Sequence, residues 1–148
     1  MNIKEEAKAV KLASPKMAGT SEEARNKALL EVVKQLKARR QEIFEANAMD
    51  LKQAEIDKVA APIIKRLKFD ETKLRDVIAG IEDLVKLEDP LFKQDMHRQL
   101  DEGLTLYRET CPIGVIGVIF EARPDALIQI SSLCIKSGNC VILKGGSE

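Results

Sequence analysis

The sequence predicts an α/β fold with a mainly helical region over residues 1–92, a strand or hairpin over 93–110, and a β-α-β unit over 111–148. Apolar residues recur at helical spacing in the first part of the chain, which indicates amphipathic helices. Two near-continuous apolar runs near the end flank a helical segment, which is typical of parallel strands. The chain carries 24 acidic and 24 basic residues, and only six of them lie after position 110. The chain therefore changes from exposed helices to a buried sheet.

The helical region begins with a capping-box pattern at residues 20–23, followed by an apolar stripe. The stripe consists of Leu29, Val32, Val33, Leu36 and Ile43. A shorter helix is expected over 47–58. A further helix should begin near Asp70 and end before Pro90. Its apolar face contains Leu74, Val77, Ile78, Ile81, Leu84 and Val85. These stripes predict core packing.

The β-rich part begins with partial alternation at 104–108, which predicts a strand after a turn at 101–103. The run 115–120 predicts a parallel strand covered on both faces. A helix should follow over 126–136, with Leu127, Ile130 and Leu133 or Cys134 on its apolar face, and a second strand over 140–144. Such a β-α-β unit has parallel strands and a right-handed crossover. Two strands cannot form a complete covered sheet, so we expect the front part of a larger, doubly wound (Rossmann-like) cofactor domain.

Composition excludes several classes of function. The net charge is zero with both signs interspersed, which argues against nucleic-acid and anionic-membrane partners. The N-terminus has no apolar signal core and no run reaches the ~20 residues of a membrane span, so we expect a cytoplasmic protein. Cys111, Cys134 and Cys140 form no C-x-x-C pair and lie in apolar sequence, which indicates reduced, buried thiols. We expect no metal site.

Two motifs about twenty residues apart resemble one enzyme family. Phe-Glu-Ala-Arg-Pro-Asp at 120–125 and Leu-Lys-Gly-Gly-Ser-Glu at 143–148 are similar to motifs of gamma-glutamyl phosphate reductase. That enzyme is also called glutamate-5-semialdehyde dehydrogenase and belongs to the aldehyde dehydrogenase superfamily. Weaker likenesses occur at 47–51 and 61–67. The resemblance covers most of this chain but only about the first third of the family's length.

The resemblance implies an enzyme of L-proline biosynthesis. NADPH would reduce L-glutamyl 5-phosphate to L-glutamate 5-semialdehyde with release of phosphate, through a cysteine thioester. The family's cysteine lies downstream of the first cofactor-binding β-α-β unit. None of the three cysteines here matches it, so we expect no catalytic residue in this chain and no activity from the chain alone. The full-length protein is expected to be a homo-oligomer.

The resemblance also implies which residues bind the cofactor. Lys144 matches a lysine that hydrogen-bonds the adenosine ribose, although a lysine at a strand end also reaches solvent without any ligand. Ser147 stands where NAD-preferring relatives carry a glutamate, and the absence of a carboxylate leaves room for the 2′-phosphate of NADPH. The expected cofactor-binding residues are Ile119, Phe120, Lys144, Gly145, Gly146 and Ser147.

Substrate binding is expected at Arg123, which could pair with the phosphate or the carboxylate of glutamyl phosphate. A structural salt bridge to Asp125 or Glu121 is at least as good an explanation. Ala122 replaces the oxyanion-binding Asn of aldehyde-oxidising relatives. The glycines of the segment 114–117 are interpreted as packing glycines, and His97 as an exposed or interface residue.

Two alternative functions remain. The reductase part of a bifunctional pyrroline-5-carboxylate synthase shares these motifs, although a Met1 start without a preceding kinase domain argues against it. A non-catalytic helical interaction module would explain the amphipathic helices but not the two motifs.

Overall fold

The computed structural model describes residues 2–146. Within this range the chain forms six α-helices and four β-strands. The helices are α1 (Ile3–Ala18), α2 (Glu22–Ala38), α3 (Arg40–Ile56), α4 (Ala61–Leu67), α5 (Glu71–Lys86) and α6 (Pro124–Lys136), and the strands are β1 (Gln94–Asp101), β2 (Leu104–Glu109), β3 (Val115–Ile119) and β4 (Cys140–Lys144). The predicted α/β class is confirmed, because a helical region precedes an antiparallel hairpin and a parallel β-α-β unit.

Helix α1 lies against β3 and β4, within the region 1–92 that the sequence predicts to be mainly helical. Asn2 caps it by accepting a hydrogen bond from the Lys4 backbone N–H at 3.2 Å. Its half-buried positions are Ala7, Val10, Ser14, Met17 and Ala18. These side chains have helical spacing, but most of them are small. The face that α1 turns towards the sheet therefore contains few large apolar side chains.

The segment that follows forms two helices, which meet at Arg39. Ser21 caps α2 by accepting a hydrogen bond from the Ala24 N–H at 3.2 Å, and Ala24 has no carboxylate to return the bond. The Thr20 hydroxyl instead donates to the Met17 carbonyl at 2.6 Å. The predicted capping box is therefore absent, and a simple serine cap replaces it. Helix α3 begins immediately after Arg39, well before its predicted start.

The main core lies between α2 and α5, as the apolar stripes predict. Asp70 caps α5 by accepting a hydrogen bond from the Lys73 N–H at 3.1 Å, and this bond holds the pKa of Asp70 below its ordinary value. Ile128 and Ile135 of α6 pack against the same core. Its buried members are Leu29, Val33, Leu36, Phe69, Leu74, Val77, Ile78 and Ile81.

Strands β1 and β2 form an antiparallel hairpin, which confirms the strand predicted at 104–108. Gly103 takes a φ of +71° in the tight turn, a conformation that glycine adopts without strain. His97 and Tyr107 are cross-strand partners whose rings stack with centroids 4.8 Å apart. His97 is exposed, as predicted.

Strands β3 and β4 are parallel, which confirms the predicted β-α-β unit, and their register runs from Val115–Cys140 to Ile119–Lys144. Asn139 sets this register, because its Oδ1 accepts the Gly114 N–H at 2.8 Å immediately before β3. A Cβ at Gly114 or Gly117 would meet no atom of the described residues within 4 Å, so no packing contact within residues 2–146 explains these glycines. Gly114 is required instead for its φ of +116°.

The buried face of α6 differs from the predicted one. Cys134 of the expected stripe is buried, but Leu127 and Leu133 are 48% and 57% exposed. Ala126 and Lys136, which the stripe did not include, are buried. The β3 strand is also open on one side, and Ile119 is 83% exposed. In the part of the chain that the structure describes, the sheet and α6 are therefore covered on one side only.

Lys136 is 3% exposed, and its ammonium group is surrounded by oxygen atoms. It donates to Glu22 Oε1 at 3.2 Å, Asn26 Oδ1 at 3.1 Å and the Leu87 carbonyl at 2.8 Å. Nearby, the buried Arg25 pairs with Asp89 at 2.6 Å. A buried cation is tolerated only when its hydrogen bonds are satisfied. These bonds therefore fix the last turn of α6 against α2 and the end of α5.

Replacing Gly138 with alanine should destabilise the fold by about 2 kcal/mol or more. Gly138 has a φ of +64°, and an added Cβ would lie 2.7 Å from Leu91 Cδ1 and 3.2 Å from Pro112 Cγ. Gly80 is the matched control, since its Cβ would meet no described atom within 4 Å and it lies in the exposed part of helix α5. Gly80→Ala should stabilise the protein by about 0.5–1 kcal/mol. Urea unfolding measures both changes, and equal stabilities of the two variants would contradict this account of Gly138.

Candidate ligand pocket at the carboxyl end of the parallel strands

A pocket of about 240 Å³ lies where β3 and β4 end and α6 begins. Segments that are far apart in the sequence form it, including α3, the end of α4 and the turn between β3 and α6. Open parallel α/β sheets bind ligands at the carboxyl ends of their strands. The lining residues are Asp50, Leu67, Phe120, Ala122, Arg123, Pro124, Leu127, Leu143, Gly145 and Gly146.

The turn from β3 to α6 is shaped by Ala122, whose φ is +48°. This left-handed conformation costs a non-glycine residue roughly 1–2 kcal/mol, so surrounding contacts must stabilise the turn. Ala122 is 5% exposed and belongs to a small buried cluster with Ala54 of α3 and Leu67 of α4. This cluster fixes the turn against α3 and brings the next residue, Arg123, to the pocket.

Arg123 lines the pocket with a side chain that is 55% exposed. Its Nη2 lies 3.4 Å from Oδ2 of Asp125, so the predicted salt bridge to Asp125 is formed. The other oxygen, Asp125 Oδ1, lies 3.7 Å from Nζ of Lys73 and receives no hydrogen bond from the described residues. Asp125 is thus shared between two cations. The Arg123 guanidinium keeps exposed N–H groups that are available to an anion.

Three of the predicted cofactor-binding residues, Phe120, Gly145 and Gly146, line the pocket. The Phe120 N–H donates to the Lys144 carbonyl at 3.0 Å, which extends the strand pairing to the pocket wall. Ile119 and Lys144 are cross-strand partners at the same sheet end, but they are exposed beside the pocket rather than part of its lining. Ser147 lies outside the described residues.

Asp50 is a pocket residue to which sequence reasoning assigned no role. It lies in the segment 47–51, which resembles a family motif, and this likeness was the available signal. Asn47 anchors the same helix, because its amide donates to the Leu67 carbonyl at 3.0 Å and accepts the Phe69 N–H at 2.7 Å. Asn47 is buried and bridges the α4–α5 connection. Asp50, almost one turn later on α3, is held against the pocket.

The three thiols lie away from this pocket. Cys140 begins β4 and is paired with the first residue of β3, at the amino end of the strands. Cys134 lies in the last turns of α6, and Cys111 precedes β3. Cys134 is buried, but Cys111 is exposed and Cys140 half-buried, so the expectation of three buried thiols is wrong for Cys111. Burial raises the pKa of the Cys134 thiol, with a further contribution from Cys140.

Two searches of residues 2–146 give negative findings. These residues contain no group of three or more His, Cys, Asp or Glu side chains placed to hold a metal ion. No helix among them is long and apolar enough to cross a membrane.

The fold and the pocket together define the class of α/β proteins that bind ligands at the carboxyl end of parallel strands. Comparison with known proteins shows which enzyme of this class the chain resembles. The chain is 57% identical over all 148 residues to the gamma-glutamyl phosphate reductase of Acetivibrio thermocellus, and 56% identical over 137 residues to that of Ruminiclostridium cellulolyticum. It spans 34% and 32% of the length of these relatives. The predicted resemblance to gamma-glutamyl phosphate reductase is thus confirmed for a segment about a third of the enzyme's length.

Solved structures agree with this relation. The gamma-glutamyl phosphate reductase of Saccharomyces cerevisiae superposes with a TM-score of 0.91 at 44% identity, covering 95% of this chain and 36% of its own. That of Thermotoga maritima gives a TM-score of 0.93 at 32% identity, covering 99% of this chain and 36% of its own. The fold corresponds to the N-terminal part of these structures. No protein-family model matches the chain.

Iodoacetamide should modify Cys111 at least about tenfold faster than Cys134 in the native protein at pH 8. The reason is that alkylation requires an accessible thiolate, and Cys134 is both buried and shifted to a higher pKa. Peptide mass spectrometry after timed quenching measures the two rates. In urea the rates should converge, which serves as the control. Equal native rates would show that the last turn of α6 is not packed as described.

Proposed function

We propose that this chain forms the N-terminal part of an NADPH-dependent reductase of L-proline biosynthesis. The reaction converts L-glutamyl 5-phosphate, NADPH and a proton into L-glutamate 5-semialdehyde, NADP⁺ and phosphate. The observation that carries the proposal is the whole-chain identity to gamma-glutamyl phosphate reductases, together with a pocket at the expected sheet end. We further propose that the complete enzyme is a cytoplasmic homo-oligomer.

The residues at the carboxyl ends of β3 and β4 fit a dinucleotide. Lys144 is exposed and forms no ion pair within residues 2–146, so its ammonium is free to donate to ribose hydroxyls. Ile119, its cross-strand partner, offers apolar surface that is 83% exposed. Gly145 lies beside the Phe120 ring, and an added Cβ would lie 3.9 Å from that ring, in ordinary van der Waals contact. Bound NADPH would supply the hydride for the reduction.

The preference for NADPH over NADH rests on Ser147 in this proposal. A glutamate there would repel the negatively charged 2′-phosphate of NADPH, whereas serine carries no charge and does not repel it. Arg123 is proposed to bind an anionic group of the substrate. Its pairing with Asp125 is compatible with this role, because the bond is long and the side chain is half-exposed.

The nucleophilic cysteine is proposed to come from the remainder of the enzyme, since no thiol of the chain lines the pocket. The chain alone should therefore not reduce NADP⁺ with glutamate 5-semialdehyde and phosphate. The same segment completed with the remaining two thirds of the Acetivibrio thermocellus relative should do so at an ordinary enzyme rate of about 1–10³ s⁻¹. Absorbance at the NADPH band measures both. An inactive completed enzyme that also gives no saturable NADPH fluorescence titration would favour the interaction-module alternative.

Lys144→Ala in the completed enzyme should raise the KM for NADPH by about 10- to 150-fold, which corresponds to a charge-assisted hydrogen bond of roughly 1.5–3 kcal/mol. The KM for the glutamyl substrate should change much less, because the proposed partner of Lys144 is the adenosine ribose and not the substrate. Steady-state kinetics measure both constants. Lys11→Ala, which removes an exposed lysine of α1, is the control and should change neither. An unchanged KM for NADPH would remove Lys144 from the cofactor site.

A further inference from the structure

Asp50 is a carboxylate in the pocket wall for which the proposed reaction has so far no use. It is exposed, and within residues 2–146 it forms no salt bridge and no side-chain hydrogen bond. The other charged residue of the pocket lining is Arg123. The pocket therefore presents one anionic and one cationic side chain to whatever enters it.

The position of Asp50 is fixed by the buried contacts of α3. Asn47 holds this helix to the backbone at Leu67 and Phe69 through two hydrogen bonds. One turn after Asp50, Ala54 packs in the same buried cluster as Ala122, the residue immediately before Arg123. The backbone segments that carry the two charged residues are thus held together by this buried cluster.

One anion and one cation in a small pocket suit the head group of an α-amino acid. Its ammonium and its carboxylate are bonded to the same carbon, so their two partners must belong to one compact site. A phosphate group suits this pocket less well, because it carries close to two negative charges and Asp50 would repel it. A neutral or purely anionic ligand would leave the Asp50 carboxylate without a partner.

We propose that Asp50 binds the α-ammonium group of the substrate while Arg123 binds its α-carboxylate. This inference rests on the proposed function, and it assigns to Asp50 the selection of amino-acid aldehydes over aldehydes that lack the amino group. Asp125 and Lys73 act as positioning residues for Arg123. Asp125 contacts the guanidinium from one side, and the charge of Lys73 keeps that carboxylate from neutralising Arg123 completely.

The test compares two aldehydes in the completed enzyme, in the direction of NADP⁺ reduction with phosphate. Glutamate 5-semialdehyde carries the α-ammonium group, and glutaric semialdehyde is the same chain without it. Asp50→Asn should raise the KM for glutamate 5-semialdehyde at least about tenfold, the scale of one charge-assisted hydrogen bond. The KM for glutaric semialdehyde and the KM for NADP⁺ should each change by less than about twofold. Glu55→Gln, an exposed carboxylate on the same helix outside the pocket, is the matched control and should change none of the three.

The outcomes separate the inference from the function on which it rests. Equal increases of the KM for both aldehydes would show that Asp50 supports the fold and does not bind the ammonium group. This result would overturn the inference. An unchanged KM for glutamate 5-semialdehyde would overturn it as well. In both cases the unsubstituted enzyme would still be active, so the proposed function would stand. Absence of NADPH formation in the unsubstituted enzyme would overturn the function and the inference together.

Discussion

The buried ammonium of Lys136 is the constraint on which the rest of the structure depends. A charge in the interior needs its full set of acceptors, and the acceptors here come from α2 and from the backbone after α5. The last turn of α6 therefore has one position relative to the helical region. Because β4 follows α6 directly and pairs with β3, this position also determines where the parallel strands lie. The bond network at one end of α6 thus fixes the pocket at its other end.

The pocket needs a second constraint, because its far wall belongs to α3, which does not contact the Lys136 network. Asn47 provides this constraint by bonding both a carbonyl and an N–H of the α4–α5 connection. Leaving either of these backbone groups buried and unpaired would lower the stability of the fold by roughly 1–3 kcal/mol. The cluster of Ala54, Leu67 and Ala122 then holds the β3–α6 turn in its strained conformation. Ala54 and Ala122 are small, which lets the backbone of the turn lie close to α3.

The sequence predicted most of the fold, since period and length are local properties. The stripe beginning at Leu74 predicted the buried face of α5. The two apolar runs predicted the parallel strands that pair as β3 and β4. The prediction failed where the burial of a helix face depends on which element packs against that face. Lys136 has the side chain of a surface residue, so the buried face of α6 could not be predicted from polarity. The half-buried face of helix α1 consists mostly of small side chains, so it contains few of the large apolar residues that mark a core stripe.

The candidate site was predictable in part for a related reason. Residues 119–123 and 144–146 follow strands, and strand ends meet at one edge of a parallel sheet. Asp50 follows no strand, and its place in the pocket results from long-range contacts of Asn47 and Ala54. The role proposed for it rests on charge balance. Lys73, Asp125 and Arg123 carry one net positive charge at the turn, and Asp50 supplies the opposite charge across the pocket, so the cavity is dipolar and not uniformly charged. A dipolar cavity favours a zwitterionic group over a phosphate dianion, so in the proposed reaction the acyl phosphate end of the substrate extends out of this pocket, towards the thiol that the remainder of the enzyme is proposed to supply.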